Sequence, residues 1–224
     1  MKIFGKISKW TGIVLLCLFV FSATGVLVTR WKPVHHTRLM SIRQSQFAKD
    51  KNFKHQYYWA DYNAISPHLV RAVVASEDNR FFQHHGFDWT EIQHAIKENK
   101  VRKRPRGAST ITQQVAKNVF LWPDNSWLRK GLEAYYTVLI ECLWPKERIM
   151  EVYLNVAEMG KGVYGAEAAA QHYFKKNASR LTAREAALIA ACLPNPLRRN
   201  PAKPSEYVQV RASQILTIMK QYES

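Results

Sequence analysis

Two acids, Glu77 and Asp78, stand side by side where an apolar run ends, in the stretch VVASEDNRFFQHHGFDW from Val73 to Trp89. A carboxylate at a helix end beside a cleft can take or give a proton, and an adjacent acid can orient or tune it. The same pair also suits an ordinary solvated helix end that turns through Gly86, with the Phe and His residues merely buried. Further along, GASTITQQVAKN from Gly107 puts small and hydroxyl residues at a helix start, with Gln113, Gln114 and Lys117 one or two turns on. Outward N–H groups at such a start attract phosphate. In WLRKGLE from Trp127, Arg129 and Glu133 are four apart on one helical face, with Lys130 beside Arg129. Exposed, that pair is worth roughly a few tenths of a kcal/mol. Glu133 gains chemical interest if it shares a cleft with Glu77, where two carboxylates hold different protonation states or bind a cation.

These stretches need helices to hold them. SPHLVRAVVASE starts with Ser66 as N-cap and Pro67 at the first helical position, and Leu69, Val70, Val73 and Val74 share a face. In DWTEIQHAIKENK, Asp88 and Glu91 have capping-box spacing, and Trp89, Ile92 and Ile96 are expected to form the buried stripe. The basic loop Lys100 to Arg106 follows; its charge, Pro105 and one neighbouring Gly leave little apolar surface to offset the entropy of ordering, so it is expected to be mobile without substrate. A helix capped by Ser109 and stopped before Pro123 comes next. Ser126 opens a longer one through Trp144, and Pro145 starts another carrying KERIMEVYLN. GKGVYG is a turn-rich break, AEAAAQHYF resumes as helix, and Thr182 and Glu185 repeat capping-box spacing before a final helix bearing Val208, Ile215, Leu216 and Met219. No alternating run is long enough to require a sheet, so the fold class is mainly α.

The chain has 224 residues, enough for one domain with a sizeable core besides an anchor. Thirty-three Lys and Arg against seventeen acids leave a net charge of +16, which suits a polyanionic partner such as nucleic acid, acidic lipid or a phosphate substrate. Residues 10–29 carry no charge and are closed by Lys9 and Arg30; at ~1.5 Å per residue a helix of this length spans ~30 Å of hydrocarbon. Residues 1–9 then form a tail, 30–62 a juxtamembrane stalk without clear periodicity, and 63–224 the soluble domain. Lysines and arginines flank both ends of the span, so charge leaves the topology open. Cys142 and Cys192 lie in apolar helical patterns and are expected to be buried free thiols, and the His35-His36 and His84-His85 pairs lack zinc spacing.

Taken in order, EDNRFFQHHG from Glu77, GASTITQQ from Gly107, RKGLE from Arg129, KERIMEVYLN from Lys146 and LTAREAALIAACLPNPLRRNP from Leu181 resemble the successive motifs of the peptidoglycan glycosyltransferases, family 51. The resemblance runs from about Ser66 to Pro201, and Ala108 departs from it where many relatives place a second Gly. It implies a lysozyme-like helical domain behind a single transmembrane helix. Glu77 would be the catalytic base supported by Asp78, and Glu133 the second essential carboxylate. Phe81 would line the cleft, while His84 and Gly86 shape the turn. Ser109, Thr110, Gln113, Gln114, Lys117, Arg129 and Lys130 would contact sugar and diphosphate, and Glu151, Tyr153 and Asn155 would support the cleft.

The implied reaction is polymerisation of lipid II on a growing glycan strand, inverting at the anomeric carbon and releasing polyprenyl diphosphate. A divalent cation such as Mg or Mn near Glu133 belongs to the same expectation. Without S-x-x-K or K-T-G the chain is expected to be monofunctional. Similarity of the GKGVYGAEAAAQHYF and ACLPNPLRRNP segments to Gram-negative monofunctional enzymes implies the inner membrane, with the domain in the periplasm. Partners would be the membrane and other cell-wall synthesis or division proteins, with no nucleic acid. Two rivals stay open: a membrane-anchored lysozyme-like hydrolase, which has no departing diphosphate to hold, and a tethered polyanion-binding protein built on VRKRPRG.

Overall fold

The structure, a computed structural model, describes residues 2–102, 106–124 and 126–222. It is mainly α. Helix α1 (Lys2–Thr29) contains the apolar span Trp10–Thr29, long and apolar enough to cross a membrane, and α2 (Arg38–Gln46) follows it. Next come α3 (Pro67–Glu77), α4 (Trp89–Asn99), α5 (Ile111–Phe120), α6 (Trp127–Leu143) and α7 (Lys146–Val156). After α7 the strands β2 (Glu158–Gly160) and β3 (Val163–Tyr164) form a hairpin, to which β1 (Gln56–Tyr57) adds in parallel, giving a three-stranded sheet in the order β1-β3-β2. The chain ends through α8 (Ala166–Ala169), a π-helical turn at Ala170–Phe174, α9 (Ala183–Cys192) and α10 (Glu206–Lys220). Strands this short carry no readable alternation, which is why the sequence reads GKGVYG only as a break.

Local signals set most helix starts. Ser66 accepts from the His68 N–H with Pro67 behind it, Asp88 accepts from the Glu91 N–H, and Thr182 with Glu185 completes a capping box. The core lies where α9 packs between α3 and α10, and α5 packs on α6 and α7. Alanines crowd α9, and Ala186, Ala187, Ala190 and Ala191 are wholly buried, so neighbouring helices approach closely.

Several expectations are corrected. The N-cap of α5 is Thr110, not Ser109, in a capping box with Gln113. On α4 only Ala95 is buried: Trp89 is 68% exposed and Ile96 58%. Their spacing makes one face, but α4 turns Trp89 and Ile96 of that face outward, with Ile92 half-buried. Cys142 is exposed, while Cys192 is buried and burial pushes its thiol up to about 11. The segment read as a stalk is part of the folded body. Met40 of α2 is fully buried, Tyr57 donates to the Val34 carbonyl at 2.6 Å, and the Ala60 N–H and carbonyl are both bound by the Asn155 amide at 2.8 Å. Of the aromatic residues Tyr57, Tyr58, Trp59 and Tyr62, only Tyr58 is exposed.

Helix α1 is joined to the rest of the fold at its C-terminal end. Val26 is fully buried, its carbonyl accepts from the Trp144 indole N–H at 2.8 Å, and Ser22 and Tyr135 share a hydroxyl hydrogen bond of 2.6 Å. Arg148 of α7 closes the end of α1 by donating to the carbonyls of Thr29 and Lys32.

Candidate active site

Glu77 is the last residue of α3 and lines a cavity of about 360 Å³ with Asp78, Arg80, His94, Ser109 and Arg211. Its Oε2 accepts from Gln114 Nε2 at 3.0 Å. Burial raises its carboxyl above the usual carboxylate range, opposed by the Gln114 hydrogen bond and by the Arg211 charge. A base whose proton affinity is raised in a cleft suits proton transfer near neutrality.

Its neighbour Asp78 does something else. The side chain is only 2% exposed; Oδ2 accepts the Ile111 N–H at 3.0 Å and both oxygens accept from His84 Nε2, at 2.9 and 3.1 Å. Asp78 therefore supplies the anion at the N-terminus of α5, where the sequence suggested phosphate. The Gln113 N–H in the same turn is taken by Thr110 Oγ1. Asp78, expected to support Glu77 and to contact substrate, borders the Glu77 cavity and locks α5 and His84 to the end of α3.

Phe81 is also corrected: it is 0% exposed, lies under the Lys146 ammonium at 4.5 Å, and packs in the core instead of lining the cleft. Thr110 touches the edge of the Glu77 cavity, and its hydroxyl donates to the Gly86 carbonyl at 2.7 Å, which ties the start of α5 to the Gly86 turn. Gly86 has φ +89, and a Cβ there would stand 2.7 Å from Thr137 Cγ2. The turn expected around His84 and Gly86 is thus required both by the left-handed backbone and by close approach of α6.

A second, larger cavity of about 670 Å³ is lined by Ser109, Gln113, Lys117, Arg129, Lys130 and Glu133, with Leu39 and Asp124. Glu77 and Glu133 are not brought into one cavity; Ser109, which lines both, is where the two cavities meet. Glu133 is ion-paired with Arg129, itself 6% exposed. The Arg129 Nε is buried with no hydrogen-bond partner among the described residues, so donor capacity remains. Three cations against two acids make this cavity suited to an anionic group.

No group of three or more His, Cys, Asp or Glu with metal-site geometry occurs among the described residues. Glu133 alone, already held by Arg129, fits only a cation that takes its remaining ligands from water and a substrate diphosphate, as Mg²⁺ commonly does.

Residues 103–105 of the basic loop lie outside the described residues, so the expected mobility is not addressed there. The flanks are tied: Arg102 pairs with Glu98 at 3.0 Å, Arg106 pairs with Glu91, and the Asn99 amide brackets the Arg106 backbone.

A family model described as Transglycosylase matches residues 44–220. The chain belongs to the transglycosylase family. It is 54% identical over 215 residues to the biosynthetic peptidoglycan transglycosylase of Bacteroides thetaiotaomicron, covering 96% of this chain and 87% of the relative. The protein of the same name from Bdellovibrio bacteriovorus is 53% identical over 211 residues, covering 94% and 84%. The one from Shigella sonnei is 46% identical over 224 residues, covering 99% and 93%. The family match begins inside α2, in agreement with the packing of residues 38–62 on the domain.

Arg211 and Leu39 are among the lining residues of this transglycosylase site that were not read from the sequence. Arg211 sits on α10, beyond the motifs, as one basic residue on an amphipathic helix, and nothing local marks it. Leu39 reaches the larger cavity from the segment taken for a stalk.

Proposed function

We propose that the protein polymerises lipid II into glycan strands, with Glu77 as general base and the cations of the larger cavity holding the departing diphosphate. The observation that carries this reading is the pairing of compartments: a buried carboxylate in one cavity, and a cationic wall of Lys117, Arg129 and Lys130 in the next, joined at Ser109. The acceptor's 4-hydroxyl attacks the donor's anomeric carbon while its proton passes to Glu77. The new β-1,4 carbon–oxygen bond forms as the bond to diphosphate oxygen breaks on the opposite face, which inverts the centre. Negative charge develops on the diphosphate, and cationic side chains fixed in advance are worth most there. Glu133 keeps Arg129 in place through their ion pair. Glu133 would hold a Mg²⁺ or Mn²⁺ ion, and the charge neutralisation such an ion supplies would add to that of the cationic side chains. The apolar span Trp10–Thr29 supports residence in the inner membrane, and we place the domain on its periplasmic side, where the cavities meet a lipid-tailed substrate.

Glu77→Gln tests this. The amide matches the carboxylate in shape but cannot take the proton, so polymerisation of labelled lipid II falls at least ~10²-fold while lipid II binding stays. Activity above about a tenth of wild type rules out the base role.

A further inference from the structure

Tyr153 lies in the middle of α7 at 1% exposure, and its hydroxyl points at Gln114 Oε1, 3.4 Å away. Gln114 is its hydrogen-bond partner among the described residues, and a buried hydroxyl is costly to leave unpaired. Burial holds the phenol well above its ordinary range, so the group keeps its proton throughout the working pH range and remains available as a donor.

We propose that Tyr153 is a positioning residue for the general base and acts through Gln114; the inference rests on the assignment of Glu77 as base. The argument is one of direction. An amide side chain has two ends of nearly equal shape, one donor and one acceptor. An ionised Glu77 accepts only, so Gln114 must turn its NH₂ toward Glu77 and its oxygen away. Tyr153 meets that oxygen with an O–H, which gives the required orientation a partner at both ends. Phe at 153 leaves the oxygen facing a ring. The flipped amide, oxygen toward Glu77, is then favoured whenever Glu77 holds a proton.

Helix geometry supplies the rigidity. Glu151 and Asn155 are four apart on α7 and share a face. Glu151 accepts the Tyr62 N–H at 2.9 Å, and Asn155 holds Ala60. Tyr153, about 200° around the helix from Glu151 at ~100° per residue, points the other way, toward α5. The helix is thus fixed to residues 60–62 on one side and reaches the Glu77–Gln114 pair from the other. The groups that act on Glu77 are Asp78 and Ser76 from its own segment, Gln114 from α5, Tyr153 from α7 and Arg211 from α10.

The test uses the full chain in detergent with labelled lipid II. Tyr153→Phe, isosteric in the core, is expected to lower kcat about tenfold, a part of the ~10²–10⁴ that a placed base supplies, with KM unchanged. The ascending limb of the pH–rate profile moves to higher pH, because Glu77 loses a fixed donor. On a Gln114→Leu background the same substitution has no further effect, since the route through the amide is already cut. A tenfold loss that persists on that background overturns the inference. So does a Tyr153→Phe variant with a lowered Tm and an unshifted pH profile, which is the behaviour of a packing residue. These failures leave the base assignment standing; a Glu77→Gln variant that still polymerises removes the base assignment itself.

Discussion

Among the contacts that join the end of α1 to the domain, those of Arg148 are the most numerous for one side chain, and Arg148→Ala should expose their strength. The guanidinium pairs with Glu151, donates to the Thr29 carbonyl at 2.8 Å and to that of Lys32 at 2.5 Å, and lies 5.2 Å from the Trp59 ring and 5.8 Å from that of Trp144. Its side chain is 10% exposed and that of Glu151 14%. Removing one partner of a buried pair costs about 3–5 kcal/mol, because the other charge is left in a poor solvent. Glu151 keeps the Tyr62 N–H and some contact with water, which puts the electrostatic part near ~3 kcal/mol. Loss of the contact with two indole rings adds roughly 0.5–2 kcal/mol. A total of about 3–5 kcal/mol corresponds to a fall in Tm of about 6–20 °C for a chain of this size. Thermal unfolding in one detergent, followed by tryptophan fluorescence, measures it. Hydrogen exchange of residues 26–34 should rise in parallel, because the end of α1 loses its cap. Arg148→Lys keeps the charge opposite Glu151 and should recover more than half of the loss. A fall in Tm below about 2 °C for Arg148→Ala would refute the reasoning, since less than ~1 kcal/mol cannot come from a buried, multiply bonded pair.

Other outcomes follow from the same geometry. Gly86→Ala must place a Cβ at φ +89 and 2.7 Å from Thr137 Cγ2; about 1–2 kcal/mol for the left-handed backbone and ~1–3 for overpacking should lower Tm and disturb the Thr110 hydrogen bond to the Gly86 carbonyl, with activity falling as well. The pH dependence of Glu77 has opposite signs for activity and stability. Its folded carboxyl lies above the ordinary 4.5, so over the window between those values the folded state binds more protons than the unfolded one, and stability falls as pH rises through it. In the same window kcat/KM rises, because the base is being deprotonated. Glu77→Gln should remove the Glu77 share of the stability slope over that window and leave the share of Glu158, whose carboxyl burial also raises, as denaturant titrations across pH would show.

The elements that a single helical turn can encode were legible in the sequence. Ser66 with Pro67, Asp88 with the Glu91 N–H, and Thr182 with Glu185 are partners within three residues, and their chemistry acts whatever surrounds them. The apolar span of α1 and the order of motifs were equally plain, since uncharged length and residue spacing are properties of the chain alone. What residues many positions apart do to one another had to come from the tertiary structure. Glu77 and Asp78 are neighbours of the same type, yet one is aimed into a cavity and the other onto the first N–H of α5 and His84, contacts made across 6 and 33 residues. Trp89 and Ile96 have the spacing of a buried stripe, but burial needs an opposing surface, and the one α4 meets covers Ala95 instead. Phe81 is sealed in the core, Arg211 arrives from α10 beside Glu77, and Ser109 turns out to join two cavities instead of capping a helix. Periodicity states which residues share a face. Only the packing of the other helices decides which faces meet, and so which of the two neighbouring carboxylates is aimed into a cavity.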